Sequence, residues 1–203
     1  MNRLPRLLLF LFLFLFLFLH TTFAWADLND PDIWTKVKQR MRADTGYSLQ
    51  AVYEGPEGHF LFHYVVHGDG ERILTEVLEG SSRGAGTRIY YNPSDDSENV
   101  TMQTSLFRLR RSLESRDIKD SPIHKPLFSH LLDELDPEPQ EIDYQKLGTI
   151  VFLFGDKTAE HEFLTVDSSG NPIRLSRMEK DKEVSSMTFH QLEWGQKPMD
   201  WEK

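Results

Sequence analysis

The chain has 203 residues, of which 39% are hydrophobic and 27% charged, with no cysteine and a formal net charge of −9. Without thiols there is no disulfide framework and no cysteine nucleophile, and the acidic balance makes nucleic acid and anionic lipid headgroups poor partners. An acidic surface chiefly favours solubility.

At the amino terminus, Arg3 and Arg6 precede an uninterrupted apolar run over residues 7–19, followed by Thr21, Thr22 and the small-x-small triplet Ala24-Trp25-Ala26. This order reads as a secretory signal peptide, residues 1–26, cleaved before Asp27. The run falls short of the ~20 residues a bilayer span needs. Removing residues 1–26 leaves 177 residues with 21 basic and 32 acidic side chains, enough for one domain, 27–203, with a substantial core. With no cysteine available for lipid attachment, the mature protein is expected to be soluble, and export without cysteines fits the periplasm of a bacterial envelope. No stable membrane span is expected after cleavage.

Asn29, Asp30 and Pro31 give a helix start, a capping residue ahead of a first-turn proline. Ile33, Trp34, Val37 and Met41 follow at helical spacing, and Gly46 ends the pattern. The chain then turns to strands. Residues 47–54 alternate Tyr47, Leu49, Ala51 and Tyr53 against Ser48, Gln50, Val52 and Glu54, and a Gly-Pro-Glu-Gly turn leads into "GHFLFHYVVHG". Here His59, His63 and His67 recur every four residues, a metal-site spacing on a helix. The alternating Phe60, Phe62, Tyr64 and Val66 instead predict a strand. Strand residues four apart share a face but lie roughly 13 Å from each other, too far for one ion, so the histidines read as a polar, solvent-facing row and no metal is expected. Gly68-Asp69-Gly70 leads into a third strand at 72–79, completing an antiparallel meander.

Further along, strands are predicted at 87–92 and 100–103, separated by the turn Asn92-Pro93-Ser94-Asp95-Asp96. Gly84-Ala85-Gly86 lacks the lysine and helix of a phosphate loop and reads as a hairpin loop. Arg108, Arg110, Arg111 and Arg116 form a basic patch, but Leu106, Leu109 and Leu113 make the segment an ordinary amphipathic element. Ser121-Pro122 begins a second helix bearing Leu127, Phe128, Leu131, Leu132 and Leu135, where Pro126 either sits in the first turns or delays the start, and Pro137 and Pro139 end it. Strands return at 142, 149–154, 160–166, 173–179 and 184–194. For catalysis the chain offers little: neither a Gly-x-Ser-x-Gly elbow nor a His-Glu-x-x-His motif is present, and Glu160-His161-Glu162 reads as an edge or surface strand. No enzymatic role and no cofactor are expected.

The order helix, long meander, central helix and closing strands resembles the LolA-like superfamily of periplasmic lipoprotein carriers, above all in "FLTVDSSGNPIRLSRMEKDKEVSSMTFHQLEWGQKP" and "GTRIYYNPSDDSENVTM". The resemblance implies an α+β fold: an antiparallel, incomplete (half) β-barrel with helices covering its concave face. It also implies a non-catalytic periplasmic protein that holds a hydrophobic ligand, a lipid, acyl chain or lipoprotein, beneath a helical lid able to open. Phe60, Phe62 and Tyr64 on the sheet and Leu127, Leu131 and Leu135 on the lid are the residues placed around that ligand. Where the carriers have an Arg-Pro pair, this chain reads His67-Gly68-Asp69-Gly70, so their cargo-gating arginine has no counterpart. The alternative is an envelope protein-protein interaction or stress-sensing module with no transported ligand, like the amino-terminal domain of periplasmic sigma-factor regulators. A monomer is expected in either case.

Overall fold

The computed structural model describes residues 32–42, 46–68, 72–80, 84–92, 100–104, 110–113, 125–145 and 148–195. The signal peptide, the Asn29-Asp30-Pro31 start, Asp69-Gly70, Arg108, Arg116 and Ser121-Pro122 lie outside these residues. Eleven strands form one antiparallel sheet: β1 (Tyr47–Gly55), β2 (Gly58–Val66), β3 (Ile73–Glu79), β4 (Arg88–Tyr91), β5 (Val100–Gln103), β6 (Arg110–Leu113), β7 (Glu141–Tyr144), β8 (Ile150–Gly155), β9 (Glu160–Val166), β10 (Pro172–Glu179) and β11 (Lys182–Trp194). Their order is β6-β5-β4-β3-β2-β1-β11-β10-β9-β8-β7. Two meanders are therefore joined where β1 pairs with β11, and among the described residues β6 and β7 are the edges of an incomplete barrel. Among the described residues two helices, α1 (Ile33–Met41) and α2 (Leu127–Glu134), lie on one face. This is the α+β architecture expected from the sequence.

The register explains which face that is. Tyr47, Leu49 and Ala51 of β1 stand opposite Val66, Tyr64 and Phe62 of β2, and Tyr47 and Ala51 stand opposite Trp194 and Phe189 of β11. Directly opposed residues share a face, so the apolar members of each alternating strand collect on one side. Tyr47, Leu49, Tyr64, Val66, Phe152, Phe154, Leu164 and Phe189 are buried there with Ile33, Trp34, Val37 and Met41 of α1 and Leu127, Phe128, Leu131 and Leu132 of α2. His59 and His63 fall on the opposite face, two pleats apart on one strand.

Helix α1 settles on the closing meander through Trp34, whose ring lies 5.1 Å from those of both Phe152 and Phe154. Its Val37 rests on the β9–β10 turn. Gly170 there has φ 78°, and a Cβ would meet Val37 at 3.4 Å. The Asp167 carboxylate shapes this turn by accepting the N–H groups of Ser169 and Asn171, each at 2.8 Å. Helix α2 settles on the junction of the meanders, with Phe128 at 4.7 Å from Tyr47, 5.3 Å from Phe189 and 5.7 Å from Trp194.

One alternative is settled and one expectation needs correction. Pro126 delays the start of α2, sitting extended at the N-cap with ψ 132°, since proline cannot donate within a helix and fits its first boundary. Within the basic segment Arg110–Leu113 is a strand paired with β5, while Leu106 and Leu109 lie outside the described residues. Glu160-His161-Glu162 does not lie on an edge strand, although Glu160 is exposed. β9 is flanked by β8 and β10, and His161 is only 3% exposed, edge-on to Phe163 at 5.2 Å.

Candidate functional site, an uncovered apolar strip

The two described helices cover only part of the sheet's apolar face. On β1 and β2 that face continues past Ala51 and Tyr64 to Tyr53, Phe60 and Phe62, then across β3, β4 and β5 through Val77, Ile89 and Met102, all half-buried. None of these six belongs to the buried core cluster, and the ring contacts of both described helices go instead to β1, β8 and β11. Their own rings associate. Phe60 stacks on Phe62 at 5.8 Å and lies tilted against Tyr53 at 6.3 Å. Met187 and Leu175, which follow Tyr53 across β11 and β10, extend the strip back toward the core.

The six residues assigned to a ligand from the sequence thus fall into two groups. Phe60 and Phe62 lie on the strip. Tyr64, Leu127, Leu131 and Leu135 are buried among core side chains behind it. Sequence reasoning missed Val77, Ile89 and Met102: Val77 stands directly opposite Phe62, while Ile89 is reached only through Thr75 and Met102 only through Ile89, so the signal weakens with each strand crossed.

Helix α2 is tied down at both ends. The Phe128 N–H donates to the Tyr47 hydroxyl at 3.1 Å, and the Tyr64 hydroxyl donates to the Lys125 carbonyl at 3.1 Å. Beyond its carboxyl end, Trp34 Nε1 donates to the Pro137 carbonyl at 3.0 Å and Lys38 Nζ to Glu138 at 2.8 Å. Burial raises the phenol pKa of Tyr47, against the lowering effect of the Phe128 N–H; burial and then the neighbouring Tyr47 raise that of Tyr64. Both phenols stay neutral, Tyr47 accepting and Tyr64 donating. In this structure α2 is therefore docked against the sheet at its first turn and hydrogen-bonded near both ends.

Polar groups border the strip at one end. The Tyr53 hydroxyl donates to the Glu57 carboxylate, which raises the tyrosine pKa and lowers that of Glu57. One pleat beyond Leu175, Arg177 faces Glu162 across β9 and β10, with Nε donating to Oε1 at 3.2 Å. A separate groove of about 740 Å³ runs between the helices along Lys38, Arg42, Leu132, Asp133 and Leu135. Its cations are engaged with Glu138 and Asp133, making it a charged external seam. Among the described residues no group of three or more histidines and carboxylates is placed to hold a metal ion, and no helix is long and apolar enough to cross a membrane.

No family model matches the chain, and no curated protein does. Solved structures do. An uncharacterized conserved protein from Thermus thermophilus superposes with a TM-score of 0.54 at 10% identity, covering 83% of this chain and 88% of that one. The Pseudomonas aeruginosa MucA/MucB complex gives a TM-score of 0.49 at 18% identity over 83% of this chain and 58% of that one. The LolA superfamily protein NE2245 from Nitrosomonas europaea gives 0.39 at 11% identity over 82% and 94%. At these identities the likeness is one of fold.

Proposed function

We propose that the chain is a non-catalytic, exported binding protein of the periplasm that holds a lipid or acyl chain on the strip formed by Tyr53, Phe60, Phe62, Val77, Ile89 and Met102. Phe60 and Phe62 make the contact, and Tyr64, Leu127, Leu131 and Leu135 back it as packed core. The observation that carries this reading is that the apolar face outruns its described helical cover: stacked phenylalanines stay half-exposed on the same side of the sheet as a fully packed core. Each methylene moved from water onto such a surface contributes about 0.8 kcal/mol. Access is from the side of β2 to β5, because α2 is hydrogen-bonded in place.

The second reading, an interaction module whose strip receives a protein segment, draws on the same exposure, since large apolar patches also mark protein interfaces. Native mass spectrometry of the mature protein, residues 27–203, offered fatty acids and lysophospholipids separates the two. We expect a lipid adduct that the doubly substituted Phe60→Ser/Phe62→Ser protein loses while its circular dichroism is unchanged. A wild-type protein that stays empty favours the interaction module, and equal loading of both proteins moves the ligand elsewhere.

A further inference from the structure

The geometry points to a headgroup site at the Tyr53 end of the strip that takes a zwitterionic phosphoester amphiphile, with Arg177 receiving the phosphate and Glu162 and Glu57 the ammonium. The inference rests on the reading that an apolar ligand occupies the strip, and adds which amphiphile it is. Leu175 packs against the core, and two residues on, with no register shift between them, Arg177 points to the same face. Its neighbour across the pair is Glu162, two residues from the buried Leu164. Tyr53 stands opposite Met187, which stands opposite Leu175, two residues before Arg177. One cation and two carboxylates therefore stand where an alkyl chain lying on Phe62, Phe60 and Met187 would end.

The state of the arginine favours an added ligand. Its side chain is 51% exposed and that of Glu162 is 23% exposed. Only Nε is engaged with Glu162, and the terminal amino groups make no other hydrogen bond among the described residues. Guanidinium offers five donors in a planar fork that matches two phosphate oxygens, so the unused pair is suited to a phosphodiester. A wholly anionic head meets the repulsion of Glu162 and Glu57, and an uncharged head leaves the fork unused. A phosphate carrying a nearby ammonium satisfies both signs, consistent with a chain whose overall charge of −9 disfavours anionic surfaces.

The test compares three amphiphiles of equal chain length below their micellar concentrations on the mature protein: lysophosphatidylethanolamine, lysophosphatidylglycerol and monoacylglycerol. We expect the zwitterion to bind about tenfold more tightly than either of the others. Arg177→Gln should bring it down to the level of monoacylglycerol while leaving monoacylglycerol itself unchanged, and Glu162→Gln should narrow the gap between zwitterion and anion. Equal affinities for all three in the wild type overturn the headgroup site and leave the apolar strip standing. So does an Arg177→Gln protein that weakens monoacylglycerol as much as the zwitterion, the mark of a merely structural arginine. Failure of all three to bind the wild type removes the proposed function, and this site with it.

Discussion

Tyr47 and Tyr64 carry phenols into the core, and each spends its hydroxyl on the chain around α2. The Tyr47 oxygen accepts an N–H of the helix's first turn, where backbone donors lack an intrahelical partner. Alternation on β1 and β2 marked both residues as inward-facing, but their hydrogen bonds were illegible, because the acceptor and donor lie 61 and 81 residues away. Both pKa values are raised above the ordinary tyrosine value. An unfolded tyrosine ionises near pH ~10, whereas these two keep their protons, so above that pH the native state binds more protons and stability falls as pH rises. The contribution is fully present at lower pH. We expect the urea midpoint to hold up to about pH 9 and to drop beyond about pH 10, with a smaller drop in Tyr64→Phe, which has one fewer group to ionise. Parallel pH profiles of the two proteins would disprove the assignment.

At the level of elements, each helix is amphipathic in sequence, and each buries the residues that its spacing nominated: Ile33, Trp34, Val37 and Met41 on α1, and Leu127, Phe128, Leu131 and Leu132 on α2. What spacing left open was whether α2 moves. Eight residues form too short a helix to persist alone in water, so α2 exists through its docking, which Phe128 and the hydrogen bonds at Lys125, Phe128 and Pro137 supply. Amide exchange should therefore release Leu131 and Leu132 only with the core of the sheet, within about 1 kcal/mol of global unfolding. Exchange of these amides orders of magnitude faster than that of Leu164 on β9 would reveal a lid that opens.

For the whole molecule, leaving the barrel unclosed creates two edges. β7 is one, and its exposed Glu141 and Asp143 alternate with the half-buried Ile142 and Tyr144, which pack against the core. Charges on an edge strand oppose pairing with a second chain. Replacing both by valine should turn a monomer at tens of micromolar into a self-associating species by light scattering, with the wild type unchanged; a monomeric double variant would mean that another feature guards this edge. The same openness exposes the apolar strip, since a closed barrel would line its interior with the residues that here stand half-uncovered beside α2.

Local patterns in the sequence settled the antiparallel strands, the two amphipathic helices and the inward row from Tyr47 to Tyr53, because alternation and helical spacing are short-range consequences of which side chains avoid water. Nearby competition was harder to read. The sequence left open whether Pro126 delays the helix, which it does, and did not show that Glu160-His161-Glu162 sits on an inner strand between β8 and β10. Only the tertiary structure decided where cover stops and the strip begins, that α2 is anchored, and that Arg177 and Glu162 meet at the end of that strip. Each of these depends on the register between strands and on contacts between residues far apart in the chain, such as Trp34 to Pro137, and no local periodicity encodes distances of that kind.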